Sequence, residues 1–268
     1  MPAFPAMARR LSDADLAAFV TDGFIAIENA IPASLAAEMR AILWPMTGCD
    51  PDDPTTWTRP VVRIGDLAGG PFAAAMDTPV LRDAFDRLVG PGRWLRRGSL
   101  GTFPIRFPSA EDPGDAGWHI DPSFGFEQPD FMAWRVNVVS RGRTLLMLVL
   151  ISDVGRDDAP TRIRVGSHRD VARCLAPAGE AGLTLRELVE IDFGGASRRD
   201  TTLATGPAGT VYLCHPFLVH AAQPHRGARP RFLAQPALLP AAPLRLDRPA
   251  GEQSPVEAAI RRALETND

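Results

Sequence analysis

The sequence predicts a mainly β protein of the α+β class, with helices at its N- and C-terminal ends flanking a β core. Two observations support this class. Beyond about residue 98, short apolar or β-branched runs alternate with Gly, Pro and Asp turns, which is the pattern of strands. Regular helices do not separate these runs, so a sandwich or barrel is favoured over a sheet built from βαβ units.

The first ninety residues are predicted to be mostly helical. Ser12 and Asp15 resemble a capping box ahead of an apolar run, which marks the start of a helix. Pro32 opens a second segment whose apolar residues recur at helical spacing. The expected elements are, in chain order, a helix near 12–21, a strand at 24–27, a helix beginning at Pro32, a proline-rich loop at 47–60 and an amphipathic helix at 77–90.

The β core is predicted to follow, and a helix to close the chain. Ser254 as N-cap, Pro255 at the first helical position and Glu257 predict a final helix that runs to about residue 265. No internal repeat or linker is evident, so residues 1–268 are expected to form one domain. The strand-like runs are 100–107, 134–139, 144–152, 161–165, 210–213 and 231–239, with a helix expected at 183–189.

Composition excludes several classes of function. All 29 basic residues are Arg, so a Schiff-base lysine, a pyridoxal phosphate site and a P-loop are excluded, since each needs a Lys amine. The net charge of −3 gives no reason to expect nucleic acid or an anionic membrane as a partner. No apolar stretch has the length of a membrane span or a signal peptide. The three isolated Cys residues fit a reducing, cytoplasmic setting better than a disulfide framework.

One short motif carries the main chemical signal. His119 and Asp121 are two residues apart, so in a strand both side chains point to the same side. Together with a His from a distant strand, they would form the two-His, one-carboxylate facial triad of non-heme Fe(II) oxygenases. His215, His220 and His225 are the downstream candidates. The alternative interpretation is a strand-end His followed by a turn-forming Asp-Pro.

Four blocks of sequence, taken in order, resemble the phytanoyl-CoA dioxygenase family of Fe(II)/2-oxoglutarate oxygenases. The blocks are Asp22-Gly23-Phe24, His119-Ile120-Asp121, Gly166-Ser167-His168, and His220 followed eleven residues later by Arg231. The resemblance spans roughly residues 12–236. It departs from the family at Ala222, where a Ser or Thr is usual, so the cosubstrate pocket is expected to differ in detail.

The resemblance implies a fold, a metal and a reaction. The fold would be a double-stranded β-helix, or jelly-roll, with flanking N- and C-terminal helices. His119, Asp121 and His220 would hold Fe(II), with His220 chosen over the other downstream histidines for its spacing to Arg231. The reaction would consume O2 and 2-oxoglutarate, release succinate and CO2, and hydroxylate or desaturate a small-molecule substrate.

The resemblance also implies how the cosubstrate is held. Arg231 would bind the far carboxylate of 2-oxoglutarate, because a planar guanidinium can donate two parallel hydrogen bonds to it. Arg229 is the alternative, although Pro230 between the two indicates that Arg229 still lies in a turn. Thr144 is expected to add a hydroxyl contact to the same carboxylate.

Polar and aromatic residues on otherwise apolar strands are candidates for contact with the substrate. They are Arg106, Trp134, Arg135 and Asn137. For any one of them, a solvated sheet face or a core position is the simpler interpretation. His168 is expected to be a structural turn residue and His225 to lie in an exposed turn. The loop at 108–117 is a candidate lid, although most such loops are only connections.

Two other functions stay open at the level of the sequence. A metal-dependent hydrolase on a jelly-roll would use the triad to activate water, but it would leave Arg231 without a task and would not depend on 2-oxoglutarate. A non-catalytic protein that binds metal and 2-oxoglutarate would bind both without turnover.

Overall fold

A computed structural model describes residues 10–266 of the chain. Its helices are α1 (Asp13–Asp22), α2 (Ala33–Thr47), α3 (Gly70–Met76), α4 (Pro79–Leu88), α5 (Ser167–Leu175), α6 (Leu185–Glu190), the short turn α7 (Asp192–Gly195) and α8 (Pro255–Glu265). Its strands are β1 (Phe24–Ile27), β2 (Val61–Ile64), β3 (Leu67–Ala68), β4 (Ser99–Leu100), β5 (Phe103–Arg106), β6 (Arg135–Val136), β7 (Leu145–Leu150), β8 (Thr161–Arg164), β9 (Leu183–Thr184), β10 (Thr201–Ala204), β11 (Val211–Cys214), β12 (His220–Ala221), β13 (Leu233–Ala234) and β14 (Ala237–Leu238). The α+β class is confirmed. Within residues 10–266 the helices hold more residues than the strands, so the predicted predominance of β structure was wrong.

The larger sheet is antiparallel and has β7 at its centre. β7 pairs with β11 on one side and with both β13 and β14 on the other, and β1 pairs with the far edge of β11. All six residues of β7 are buried. Side chains alternate between two separate hydrophobic clusters, one on each face, because successive strand residues point to opposite sides.

The strand predicted at 231–239 is broken in the middle. Gln235 donates its backbone N–H to Thr102 instead of to β7, and Pro236 has no N–H to donate. The two halves, β13 and β14, therefore pair with β7 separately.

The smaller sheet carries the region of the predicted motif. β8 lies between β10 and β12, and both pairings are antiparallel. His119 forms a bridge to His220 and so adds a fourth segment beside β12. On the other side of the core, β2 pairs with β5, and Arg106 at the end of β5 forms a bridge to Arg231. These two bridges bring segments together that are distant in sequence.

The terminal helices begin where the sequence predicted. Ser12 and Asp15 form the capping box of α1, and Ser254 and Glu257 form that of α8. α8 packs against both α1 and α5, and α1 also packs against β1 at the edge of the larger sheet. None of the helices within the described range combines the length and apolarity of a membrane span.

Other elements differ from prediction. The run at 134–139 is a strand only at Arg135–Val136, because the side chain of Asn137 accepts a hydrogen bond from the Arg141 N–H and Ser140 adopts a φ of 42°, which turns the chain. The sequence did not predict β2, β3, β9, β10, β12, α3, α5 or α7. His168 was wrongly expected in a loop turn. It is the second residue of α5 and is buried.

Candidate metal centre

The backbone brings His119 and His220 side by side. Each N–H donates to the carbonyl oxygen of the other residue, at 2.9 Å in both directions. The centroids of the two imidazole rings are 4.4 Å apart. Asp121 lies two residues beyond His119, and one ligand atom from each of the three side chains lies within 4.8 Å of the others. This spacing allows a single metal ion to contact all three.

Both imidazole rings are oriented by backbone carbonyls. Nδ1 of His119 lies 2.9 Å from the carbonyl oxygen of Gly117, and Nδ1 of His220 lies 3.0 Å from that of Leu218. Since a carbonyl only accepts, each Nδ1 donates, and Nε2 keeps the lone pair that a metal needs. Nε2 of His220 is buried and has no hydrogen-bond partner among residues 10–266. A metal ion would satisfy that atom.

The charges at the triad also suit a cation. Burial raises the pKa of Asp121, but Arg143 and the two imidazoles more than offset it, so that pKa lies below its ordinary value. Burial and the neighbouring His119 lower the pKa of His220 to about 4. At neutral pH the carboxylate is therefore ionised and the His220 ring neutral, which are the forms that bind divalent metals.

A cavity of about 780 Å³ opens beside the triad. His119 forms part of its wall, together with Arg106 and Arg231. Both arginines are only 2% exposed. The remaining lining residues are Arg63, Pro104, Gly114, Asp115, Gly117, Trp118, Phe131, Met132, Thr161, Leu185, Val189, Ala222 and Gln235. Three of the predicted site residues thus share one cavity.

Arg231 is held rigidly in the cavity wall. Its Nη1 donates to the carbonyl of Ala159 and its Nη2 to that of Pro104, the second at 3.2 Å. Its Nε has no hydrogen-bond partner in the described part of the chain. Burial, and secondly the positive charge of Arg106, lower the pKa of Arg231 to about 9, so the side chain is still protonated at neutral pH.

Four other predicted contact residues lie outside the lining of this cavity. Each has a polar side-chain atom bound to a backbone carbonyl at 2.7 to 3.1 Å: Thr144 to Leu238, Trp134 to Gln128, Arg135 to Ala181 and Asn137 to Glu180. These side chains stabilise turns and strand ends. Their placement does not support the contacts with cosubstrate or substrate that the sequence suggested.

The other downstream histidines do not reach the triad. His215 is buried between Phe217, whose N–H donates to its Nδ1 at 3.1 Å, and the Val256 carbonyl, which lies 3.3 Å from its Nε2. His225 was wrongly expected to be exposed: it is 4% exposed, and its Nδ1 accepts from the Gly227 N–H at 3.1 Å. Of the three candidates, His220 is the one that meets His119 and Asp121.

Sequence reasoning missed two arginines beside the triad. Nη1 of Arg143 lies 3.2 Å from Oδ2 of Asp121. Nη2 of Arg162 donates to the carbonyls of Ala116 at 2.6 Å and Ala222 at 2.8 Å, and so joins the two segments that carry the histidines. Neither arginine belongs to a local motif, and only the folded chain brings them to the site.

Two imidazoles and one carboxylate that converge in this way, with His119 in the wall of a cavity, are typical of the class of non-heme metal-dependent oxygenases. The chain belongs to the phytanoyl-CoA dioxygenase family, whose family model matches residues 19–233. It is therefore an Fe(II)- and 2-oxoglutarate-dependent dioxygenase, as its resemblance to the family implied.

Solved structures share the fold. HygX from Streptomyces hygroscopicus, with nickel and 2-oxoglutarate bound, is 21% identical with a TM-score of 0.54, over 88% of this chain and 90% of HygX. EctD from S. alaskensis, in its apoform, is 20% identical with a TM-score of 0.52, over 87% of this chain and 77% of EctD. The carbocyclase SnoK from nogalamycin biosynthesis is 15% identical with a TM-score of 0.51, over 85% and 84%. No curated protein matches the chain by sequence.

Proposed function

We propose that this protein hydroxylates, or desaturates, a small organic substrate at a metal held by His119, Asp121 and His220, with release of succinate and CO2 from 2-oxoglutarate. The observation that carries the proposal is the triad itself. Its ligand atoms converge within 4.8 Å, and Nε2 of His220 is a buried acceptor without a partner in residues 10–266. A bound Fe(II) would supply the redox chemistry that activates O2.

The neighbouring residues prepare the triad for a metal. The carbonyls of Gly117 and Leu218 hold the rings in the tautomer that leaves Nε2 free. Arg143 keeps Asp121 ionised, and it compensates part of the negative charge that a bound cosubstrate would add. HygX holds nickel and 2-oxoglutarate, and EctD has been solved with iron. Both structures support binding of a metal ion by this protein, and HygX supports binding of 2-oxoglutarate.

Arg231 is proposed to bind the far carboxylate of 2-oxoglutarate. It is a buried cation in the cavity wall, and Arg106 nearby repels it, so an anion there would relieve both burial and repulsion. Pro104 and Ala159 fix its plane, which leaves Nε as the donor without a partner in the described chain. Arg229 lines a different cavity, with Trp44 and Phe232, which favours Arg231 over the alternative.

The wider architecture is part of the same proposal. The two antiparallel sheets, with β7 and β8 at their centres, are taken to be the two halves of a double-stranded β-helix. Residues 1–268 are taken to form one catalytic domain. The free Cys49, Cys174 and Cys214 are compatible with a reducing compartment such as the cytoplasm.

Anaerobic titration of the Fe(II) protein with 2-oxoglutarate tests the proposal. A visible charge-transfer band is expected for the wild type and for His168→Gln, a change at a buried histidine outside the triad. The band should be lost in His220→Ala. Persistence of the band in His220→Ala would overturn the ligand set. Saturable binding of 2-oxoglutarate, with no succinate released in a broad substrate screen, would favour a non-catalytic protein. Hydrolysis of a substrate in the absence of 2-oxoglutarate would favour a hydrolase.

A further inference from the structure

The cavity wall holds a second polar group beside Arg231, to which the proposed cosubstrate site assigns no role. Arg63, Arg106 and Asp115 meet there. Nη2 of Arg106 lies 2.6 Å from both carboxylate oxygens of Asp115, and Arg63 forms an ion pair with the same carboxylate. This polar group therefore already includes a carboxylate, supplied by the protein itself.

Asp115 leaves much of the Arg106 guanidinium unsatisfied. Arg106 is 2% exposed, and its Nε and Nη1 have no hydrogen-bond partner within residues 10–266. Buried donors are rarely left without acceptors. A ligand with several acceptor atoms would satisfy this guanidinium better than Asp115 does.

Asp115 is also placed where it can move away. It lies on the loop between β5 and the His119 segment, outside any helix or strand, and its side chain is 24% exposed. Arg63, its other partner, has a side chain that is 57% exposed. A carboxylate on such a loop can turn toward solvent when another anion takes its place on the buried Arg106, whose charge would otherwise be left unpaired.

The charges that line the cavity do not balance. Three arginines, Arg63, Arg106 and Arg231, face a single carboxylate, that of Asp115. If Arg231 binds the far carboxylate of 2-oxoglutarate, Arg63 and Arg106 still exceed Asp115 by one positive charge. This excess favours an anionic over a cationic group on the substrate, and it persists when that group takes the place of Asp115.

The rest of the cavity wall is apolar. Trp118, Met132 and Leu185 lie along it, and Phe131 and Val189 stand at its mouth, each 45% exposed. Exposed apolar side chains around a cavity mark a surface that binds an apolar group.

We propose that the substrate is an amphipathic carboxylate. Its carboxylate replaces Asp115 on Arg106 and Arg63, and its apolar body lies along the wall from Trp118 to Phe131. This assignment rests on the proposed function, because it takes the cavity beside the triad to be the place of reaction. Asp115 then acts as an internal competitor that occupies the anion site until the substrate arrives.

Three probes of matched shape test the charge preference: 4-phenylbutyrate, 4-phenylbutan-1-ol and 4-phenylbutylamine. Each is titrated into the anaerobic Fe(II) protein with saturating 2-oxoglutarate, and binding is followed by calorimetry. Saturation with 2-oxoglutarate keeps the carboxylate probe away from Arg231. We expect the carboxylate to bind at least tenfold tighter than the alcohol, and the amine weakest.

Two variants test whether the carboxylate probe takes the place of Asp115 or whether Asp115 stays paired with its arginines. Asp115→Asn removes the competitor and should tighten binding of the carboxylate several-fold while leaving the alcohol unchanged. Arg63→Gln should weaken the carboxylate several-fold. Equal binding of carboxylate and alcohol, no binding of any probe, a preference for the amine, or weaker carboxylate binding in a folded Asp115→Asn protein would each overturn the proposal. If the wild-type protein did not bind 2-oxoglutarate at all, the result would instead count against the proposed function.

Discussion

Each triad side chain has one neighbour that orients it or holds it in the form that binds a metal. The carbonyls of Gly117 and Leu218 accept from the two histidines, and Arg143 faces Asp121. These neighbours are as much a part of the site as the ligands, because a metal binds only the deprotonated form of each ligand atom. The site is therefore prepared for a cation before one arrives.

Arg231→Ala is expected to weaken 2-oxoglutarate binding far more than metal binding. Losing one partner of a buried, hydrogen-bonded charge pair costs about 2–5 kcal/mol, which is at least about tenfold in affinity. The measurement is the concentration of 2-oxoglutarate that half-saturates the charge-transfer band, set beside the Ni(II) affinity of the same protein.

Arg229→Ala is the matched control, since Arg229 lines the other cavity. It should leave the 2-oxoglutarate requirement unchanged. A large effect in Arg229→Ala, with none in Arg231→Ala, would show that the cosubstrate lies elsewhere.

Among the elements, β8 pairs with its neighbouring strands and also connects the two segments that carry the histidines. Its residue Arg162 joins the segment before His119 to the segment after His220 through the carbonyls of Ala116 and Ala222. The same guanidinium stacks on Trp118, 4.7 Å from the ring centroid. Arg162 thus limits how far the two ligand-bearing segments can separate.

Arg162→Met is expected to lower the Ni(II) affinity about tenfold, as is typical when a residue that orients metal ligands is lost. Arg164→Met is the control: Arg164 also stacks on Trp118, at 4.1 Å, but its Nη1 donates to Ala196. Isothermal titration with Ni(II) should separate the two variants, even if both lower the melting temperature. Equal Ni(II) affinities in the two would remove this role from Arg162.

The packing of α1 against α5 predicts a loss of stability in acid. His168 on α5 is buried, and its Nε2 donates to the Val20 carbonyl at 3.1 Å. Burial is the main cause that lowers the pKa of His168 to about 3; Arg169 and Arg199 also lower it, and Asp170 opposes them. The unfolded chain takes up a proton near pH 6.5, so the folded state loses stability below that pH, by up to about 1.4 kcal/mol per pH unit for this group, until about pH 3.

Urea denaturation between pH 7.5 and 4.5 measures this loss. His168→Gln cannot titrate, so its free energy of unfolding should fall less steeply with decreasing pH than that of the wild type. Parallel slopes for the two proteins would mean that His168 is not the titrating group. The variant is also expected to be less stable at pH 7.5, because Gln fills less of the buried space.

For the molecule as a whole, the proposed carboxylate ligand is expected to set the kind of product. Asp121 would occupy one metal position and cancel one positive charge, and both effects disfavour chloride binding. The charge-transfer band with 2-oxoglutarate is therefore expected to be unchanged by added chloride, and products should contain no chlorine. A shift of the wild-type band with chloride, equal to that of Asp121→Ala, would contradict the place given to Asp121.

Part of the candidate site could be predicted from the sequence. His119 and Asp121 share a local spacing, and the interval from His220 to Arg231 is also short, so these residues could be found without coordinates. Arg143 and Arg162 could not, because nothing in their neighbourhood distinguishes them from surface arginines. The prediction of a strand over 134–139 was wrong beyond Val136. The alternating pattern is present in the sequence, but the side chain of Asn137 accepts a hydrogen bond from the Arg141 N–H, and the chain turns there.

Main-chain hydrogen bonds join His119 to His220, and they should slow the exchange of these two amide hydrogens with solvent. The amide hydrogens of His119 and His220 are bonded to each other's carbonyls, and these bonds involve none of the atoms that would bind a metal. In deuterated water, both amides should exchange slowly in the metal-free protein, and addition of metal should slow them little further. Ion capture would then require no new pairing between the two segments that carry the histidines.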